Sequence, residues 1–372
     1  MVCASTDPVP PKYLIMQPES TTEQKLQLGK EYPAKNEHKI AEDIVKLLQD
    51  EMLRTYPPGP DGKRQLRQIH PKMNGCVKAE FIIESDLSPE LRVGLFKEPK
   101  SYPAWLRFSN GKTHPIPDYK KDIRGLAIKL MNVPGKKLDF NHPEITSHDF
   151  ILMNTKNFVS GDLKKFRDIL TVVTTPFSWV SLPRKIGIAL SNLDVLKRAG
   201  KASIKISNPC EISYYSTVPY RFGEETKAVK YAVIPSPSNQ LLSPDKTSED
   251  LLRNNFAATV KQNELVFDFC IQFQTDPVKM PIEDPTVTWD SPFIKLAIIK
   301  IPRQVCDTSE RQEVGDNLSF NTWHCLAEHR PLGSFNRVRA HIYEEMYAFR
   351  HKHNNVEDKE PEAGPDFFND TK

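Results

Sequence analysis

The sequence predicts an α+β fold: a closed, mainly antiparallel eight-stranded β-barrel with helices packed around it. Two observations lead there. Short β-prone runs recur at 76–84, 104–109, 125–131, 150–153, 214–220, 229–234, 264–274 and 294–301, separated by Gly, Pro and Asp. Helical periodicity is confined to 37–53, 163–199 and 335–351, so helices flank the strands and interrupt them once. Strands at this spacing favour closure, because a closed barrel leaves no exposed edge.

Taken in order, residues 1–36 are polar and proline-bearing and form an arm whose order depends on docking elsewhere. Ile40, Ile44, Val45, Leu47 and Leu48 recur at helical spacing, and Pro57-Pro58-Gly59-Pro60 stops that helix. The run 264–274 alternates strictly through Leu265, Phe267, Phe269, Ile271 and Phe273, which puts five apolar side chains on one face of a strand. After Pro331 a turn leads into a last helix, where Val338, Ile342, Tyr343, Met346, Tyr347 and Arg350 trace one face. Residues 37–353 therefore read as one barrel domain, and 354–372 as a flexible charged tail.

Composition narrows the class. The chain has 372 residues, with 51 Lys and Arg against 48 acids, and a net charge of +3 is too small to predict a nucleic-acid or membrane partner. Lys120 and Lys121 are flanked by Asp118 and Asp122. The six cysteines have no CxxC pair or regular spacing, which reads as reduced thiols inside a cell. There is no signal-peptide pattern, no apolar run long enough to span a bilayer and no peroxisomal tripeptide, so a soluble, cytoplasmic protein is expected, with homo-oligomerisation open. Internal repeats, a Gly-rich phosphate loop and zinc-like Cys/His spacing are not found in the sequence.

Four short constellations carry possible chemistry. Arg339 precedes Tyr343 by four residues, so a helix puts guanidinium and phenol on one face. A free tyrosine ionises near pH 10, so a phenolate at neutral pH needs a metal, and a nearby cation helps to hold its charge. Tyrosinate is an axial ligand of iron in some haem enzymes. By itself this pairing is also what an ordinary helix offers. Arg67-Gln-Ile-His70 ends at the start of a strand; such a histidine can take a proton from a peroxide and return it to the leaving oxygen, and the arginine can neutralise a carboxylate. Taken alone, such a histidine is more often a turn or surface residue. In Trp105-Leu-Arg107-Phe108-Ser109, Ser109 can orient the imidazole of His70 and Arg107 can meet a second carboxylate, although an alternating strand explains the same letters. Asn154-Thr155 follows an apolar run, and its amide can donate a hydrogen bond to an oxygen gaining charge, or simply make a turn.

The order and spacing of the four resemble a catalase. The stretch 67–165 is similar to the distal half: RxxH, a glycine and strand, RFS, Asp122-Ile-Arg124-Gly125, then Asp149 five residues ahead of Asn154. The late RxxxY resembles the proximal haem helix, and Asp284-Pro-Thr-Val-Thr-Trp-Asp-Ser-Pro resembles the segment where the chain leaves the barrel. Glu328-His-Arg-Pro-Leu-Gly-Ser-Phe-Asn-Arg looks typical of the small catalase-related proteins, and the likeness covers about 60–350.

The resemblance implies haem b, with Tyr343 on the iron, His70 as distal acid–base, Asn154 as distal hydrogen-bond donor and Ser109 supporting the histidine. Arg67, Arg107 and Arg339 would hold carboxylates or the phenolate, and Phe158 would wall the distal pocket. Ser147 takes the distal position instead if the loop 141–146 is placed differently. The implied activity is catalase- or peroxidase-type chemistry on hydrogen peroxide or organic hydroperoxides. The alternatives are a fatty-acid hydroperoxide isomerase of the allene oxide synthase kind, a related tailoring enzyme, or a non-catalytic haem-binding protein. Ile69 stands where allene oxide synthases tend to carry threonine, which favours hydrogen peroxide. The chain ends about thirty residues beyond Tyr343, so the C-terminal helical domain and bound NADPH of large catalases are not expected.

Overall fold

Each of the eight expected runs supplies strand in the computed structural model, which describes residues 25–57, 64–139, 142, 144–176, 180–357 and 360–371. The chain runs α1 (Glu37–Thr55), β1 (Met73–Ile83), β2 (Ser101–Asn110), β3 (Arg124–Leu130), β4 (His148–Met153), α2 (Leu163–Thr174), α3 (Leu182–Ser191) and α4 (Leu193–Ala202). It continues through β5 (Tyr214–Tyr215), β6 (Tyr220–Phe222), β7 (Glu224–Pro235), α5 (Leu251–Gln262), β8 (Leu265–Phe273), β9 (Phe293–Ile301), α6 (Ser309–Asn317) and α7 (Ser334–Asn354). Every strand pairing is antiparallel; the ring closes where Tyr215 of β5 meets both Met153 of β4 and Ala232 of β7, and β6 pairs with β7 outside the ring.

The run 214–220 is two short strands rather than one. Thr217 between them has φ +60°, a conformation that a β-branched residue adopts at a cost and that no ladder accommodates. Helices α5 and α6 had no counterpart in the sequence reading. The first buries Leu252, Phe256 and Val260, whereas the second is polar and buries only Arg311 and Gly315, so it carries no apolar stripe to detect.

Alternation sorts β3 and β4 into two faces. Leu126, Ile128, Phe150 and Leu152 pack into the barrel core, where Phe150 and Phe81 lie 4.8 and 5.0 Å from Phe269. Their neighbours Gly125, Ala127, Ile151 and Met153 line a cavity whose other walls come from α1, α2 and α7.

Both chain ends bind this frame. In the arm, Gly29 donates to the Gln274 side chain, while Glu31 pairs with Arg330 and Arg337. Arg337 also grips Glu37 and Glu283 at 2.7 and 2.9 Å, which ties the start of α7 to α1. The tail was expected to be loose; residues 360–371 are instead docked. Phe367 packs edge-on against Trp105 at 5.4 Å, and Asp370 pairs with Lys78 and Arg311, so an aromatic anchor and two ion pairs outweigh the tail's charge. Residues 1–24 of the arm, 58–60 of the helix stop, part of the loop 141–146, and 358–359 and 372 of the tail lie outside the described residues.

Candidate active site

His70 has φ +63°, a left-handed backbone that a histidine adopts only when its surroundings hold it. Three groups do so. Arg107 Nη1 donates to the carbonyl of His70 at 3.1 Å, Ser109 Oγ lies 3.0 Å from Nδ1, and Gly125 lies beneath the ring. A Cβ at Gly125 would come 2.5 Å from His70 Cε1, so only glycine leaves room for this imidazole. Burial, then Arg107, Arg67 and Arg339, hold the imidazole down to about 3, so it is neutral at physiological pH.

The same cavity is lined from α7 by Arg339, Tyr343, Met346 and Arg350, along one stripe at helical spacing. Gly333 starts this helix with φ +85° where a side chain would strike the Ile282 carbonyl, and the Asn336 amide fixes it by donating to the Pro219 carbonyl at 2.9 Å. Arg339 donates to Asn336 Oδ1 at 3.2 Å and stands 5.7 Å above the ring of Phe158. Phe158 in turn packs on Phe335 at 4.6 Å and closes one side of the cavity. His70 and Tyr343 thus face a single cavity of about 1240 Å³, lined along α1 and α2 by apolar side chains that include Ile44, Leu48 and Leu170.

At one end of this cavity Arg67, Arg107 and Arg350 converge on the C-terminal carbonyls of α6. Arg67 and Arg107 both donate to the Gly315 carbonyl, at 3.0 and 3.1 Å, and Arg350 donates to the Asp316 carbonyl. The carboxylate of Asp316, 3.9 Å from Arg107, is the one acid in an ion pair with these three guanidiniums among the described residues. Burial and then Arg107 bring Arg350 down to about 10, and Arg67 is lowered by burial and both neighbours. Three cations around one acid, with Arg107 and Arg350 buried and Arg67 partly so, make a site that an anion would complete.

Asn154 is placed elsewhere. Its Oδ1 accepts from Arg124 N at 2.7 Å and its Nδ2 donates to the Ala202 carbonyl at 2.8 Å, so the amide joins β3 to the end of α4. Beside the Gly125 that lies under the His70 ring, the residue that β4 turns into the cavity is Met153, its partner across the ladder. Ser147 accepts from Lys129 Nζ at 2.9 Å in a fully buried network and is likewise away from the imidazole. Arg350, Gly125 and Met153 were not singled out as site residues in the sequence. Arg350 was visible as the last member of the α7 stripe, whereas the other two depend on strand register.

The fold is that of a catalase-like β-barrel. Catalase A from Saccharomyces cerevisiae superposes with a TM-score of 0.59 at 14% identity, covering 77% of this chain and 62% of that catalase. A fungal catalase gives 0.58 at 14% identity over 77% of this chain and 60% of its own, and a bacterial catalase 0.56 at 14% over 91% and 68%. This chain has a catalase-like fold and spans about three fifths of the first two structures. No protein-family model and no curated protein sequence matches it.

Proposed function

We propose that this chain is a haem-dependent oxidoreductase acting on hydrogen peroxide or organic hydroperoxides. The carrying observation is that His70 and Tyr343, from opposite ends of the sequence, line one cavity that also holds three under-neutralised arginines. The residues fit haem b: Tyr343 would hold the iron, and Arg67, Arg107 and Arg350 would meet the carboxylates. The bound haem would supply the iron centre at which the peroxide oxygen–oxygen bond is cleaved. His70 does the proton work. Being neutral, with Nδ1 on Ser109, it keeps Nε2 to take the proton from one peroxide oxygen and return it to the other, which leaves as water or an alcohol. Arg107 and Gly125 position that ring, and Phe158 and the apolar residues of α1 and α2 limit water at the site.

A second reading, conversion of a fatty-acid hydroperoxide without oxygen release, is supported by the apolar wall of α2 and by a thioether at Met153 in place of an amide donor. Product analysis with hydrogen peroxide and a fatty-acid hydroperoxide side by side separates the two. His70→Ala is expected to keep its Soret band and lose at least about 100-fold in rate on the substrate that is used. Ordinary turnover by that variant contradicts the assignment.

A further inference from the structure

Helix α3 is oriented against the usual rule for a surface helix. Its one buried side chain is Lys185, whose Nζ donates to the carbonyls of Val172 and Thr175, while Leu182, Ile186 and Leu190 are 54%, 49% and 61% exposed. Leu193 and Leu196 of α4 and Val173 of α2 extend the same apolar exposure. An amphipathic helix ordinarily turns its apolar stripe to the core, and adjoining exposed apolar side chains of this kind mark an interaction surface.

The charge around this surface selects the partner. Outside the buried Lys185, the stretch 181–205 holds five basic residues, Arg184, Lys197, Arg198, Lys201 and Lys205, against the single Asp194. The whole-chain charge of +3 hides this local excess. Two copies meeting through this face would set like charge against like charge, whereas an anionic bilayer accepts both the exposed leucines and the cations. Val173 adds a further connection, because it is 54% exposed and also lines the cavity beside Ile169 and Leu170.

We propose that the α3–α4 face docks onto an anionic lipid surface, with the apolar side of the cavity opening at the docked face. The docking stands on the surface itself; that a lipid hydroperoxide would enter from the bilayer rests on the haem reading.

The test is co-sedimentation of the full chain with phosphatidylcholine vesicles, with and without phosphatidylserine. Wild type is expected to bind the phosphatidylserine vesicles at least about tenfold more strongly and to release at high salt. Ile186→Glu with Leu190→Glu, and separately Lys197→Glu with Lys201→Glu, should each lose at least about tenfold in binding while keeping the wild-type melting temperature. No binding to phosphatidylserine vesicles, or full binding by both double variants, overturns the proposal. So does self-association in light scattering that Ile186→Glu with Leu190→Glu abolishes, which would make this face an interface between copies. Vesicle binding needs no peroxide and no haem, so this result is independent of the Soret band that tests the proposed activity.

Discussion

At Met153 and Asn154 the two-residue period of a strand decides which side chain reaches the cavity. Asn154 was singled out because an amide donor suits the distal side of a haem, and the sequence places one directly after an apolar run. The ladder between β3 and β4 sets Met153 opposite Gly125, and the amide of Asn154 is used on backbone at Arg124 and Ala202. A one-residue choice of register is beyond what a short apolar run specifies. His70 with Ser109 was legible, since a strand returning beside the RxxH turn brings the two together. Two outcomes follow at this scale. Asn154→Ala should lower stability by about 1–3 kcal/mol in urea titrations and leave the peroxide kinetics of the folded protein unchanged. Met153→Asn should raise kcat/KM for hydrogen peroxide by about tenfold, because it puts a donor beside the imidazole; an unchanged or reduced value would mean that this strand position does not face the reacting oxygen.

Among the elements, α7 was readable because Val338, Ile342, Tyr343 and Arg350 recur at helical spacing, and its role depends on anchors far away in sequence. Glu31, Glu37 and Glu283 converge on Arg337 and fix where the stripe bearing Tyr343 points. Helix α6 was not readable, because its function is to end: its last carbonyls collect Arg67, Arg107 and Arg350, and nothing in a polar nine-residue stretch announces that. The docked tail was missed for a related reason. Charge and proline outnumber apolar residues there, but Phe367 finds Trp105 on the outer face of the barrel. Phe367→Ala should therefore cost about 3 kcal/mol in chemical denaturation, the low end for a buried phenylalanine. A loss below about 0.5 kcal/mol, the scale of a surface substitution, would show that the tail does not hold to the barrel.

The barrel as a whole was legible because eight apolar runs with alternating faces have few ways to close, whereas the polar groups inside it were not. His148 and His329 lie 5.5 Å apart within the aromatic core, and His329 also accepts from Leu95 N at 3.0 Å. Burial holds His329 down to about 3, and burial with His329 and Lys137 lowers His148 well below its ordinary value. In the unfolded chain both titrate near 6.5, so the unfolded state binds more protons below that pH. Their contribution is complete above about 6.5 and is lost as the pH falls, by about 2 kcal/mol for each histidine between 6.5 and 5. His324 works in the opposite direction: against its burial, Asp139 and Asp149 raise it, so its contribution is present in acid and fades as the pH rises. His70 is held down as well, so three histidines stand against one, and the protein should be less stable to urea at pH 5 than at pH 7. Equal or greater stability at pH 5 would show that these three histidines do not stay neutral on folding.

The proposed activity requires Tyr343 to hold a haem that His70 serves, and a haem titration of the purified chain tests this most directly. Wild type and His70→Ala should each take up one haem per chain with a Soret band, and Tyr343→Phe should lose the band or bind haem at least about tenfold more weakly. A Tyr343→Phe protein with wild-type affinity and an unchanged spectrum would contradict the account.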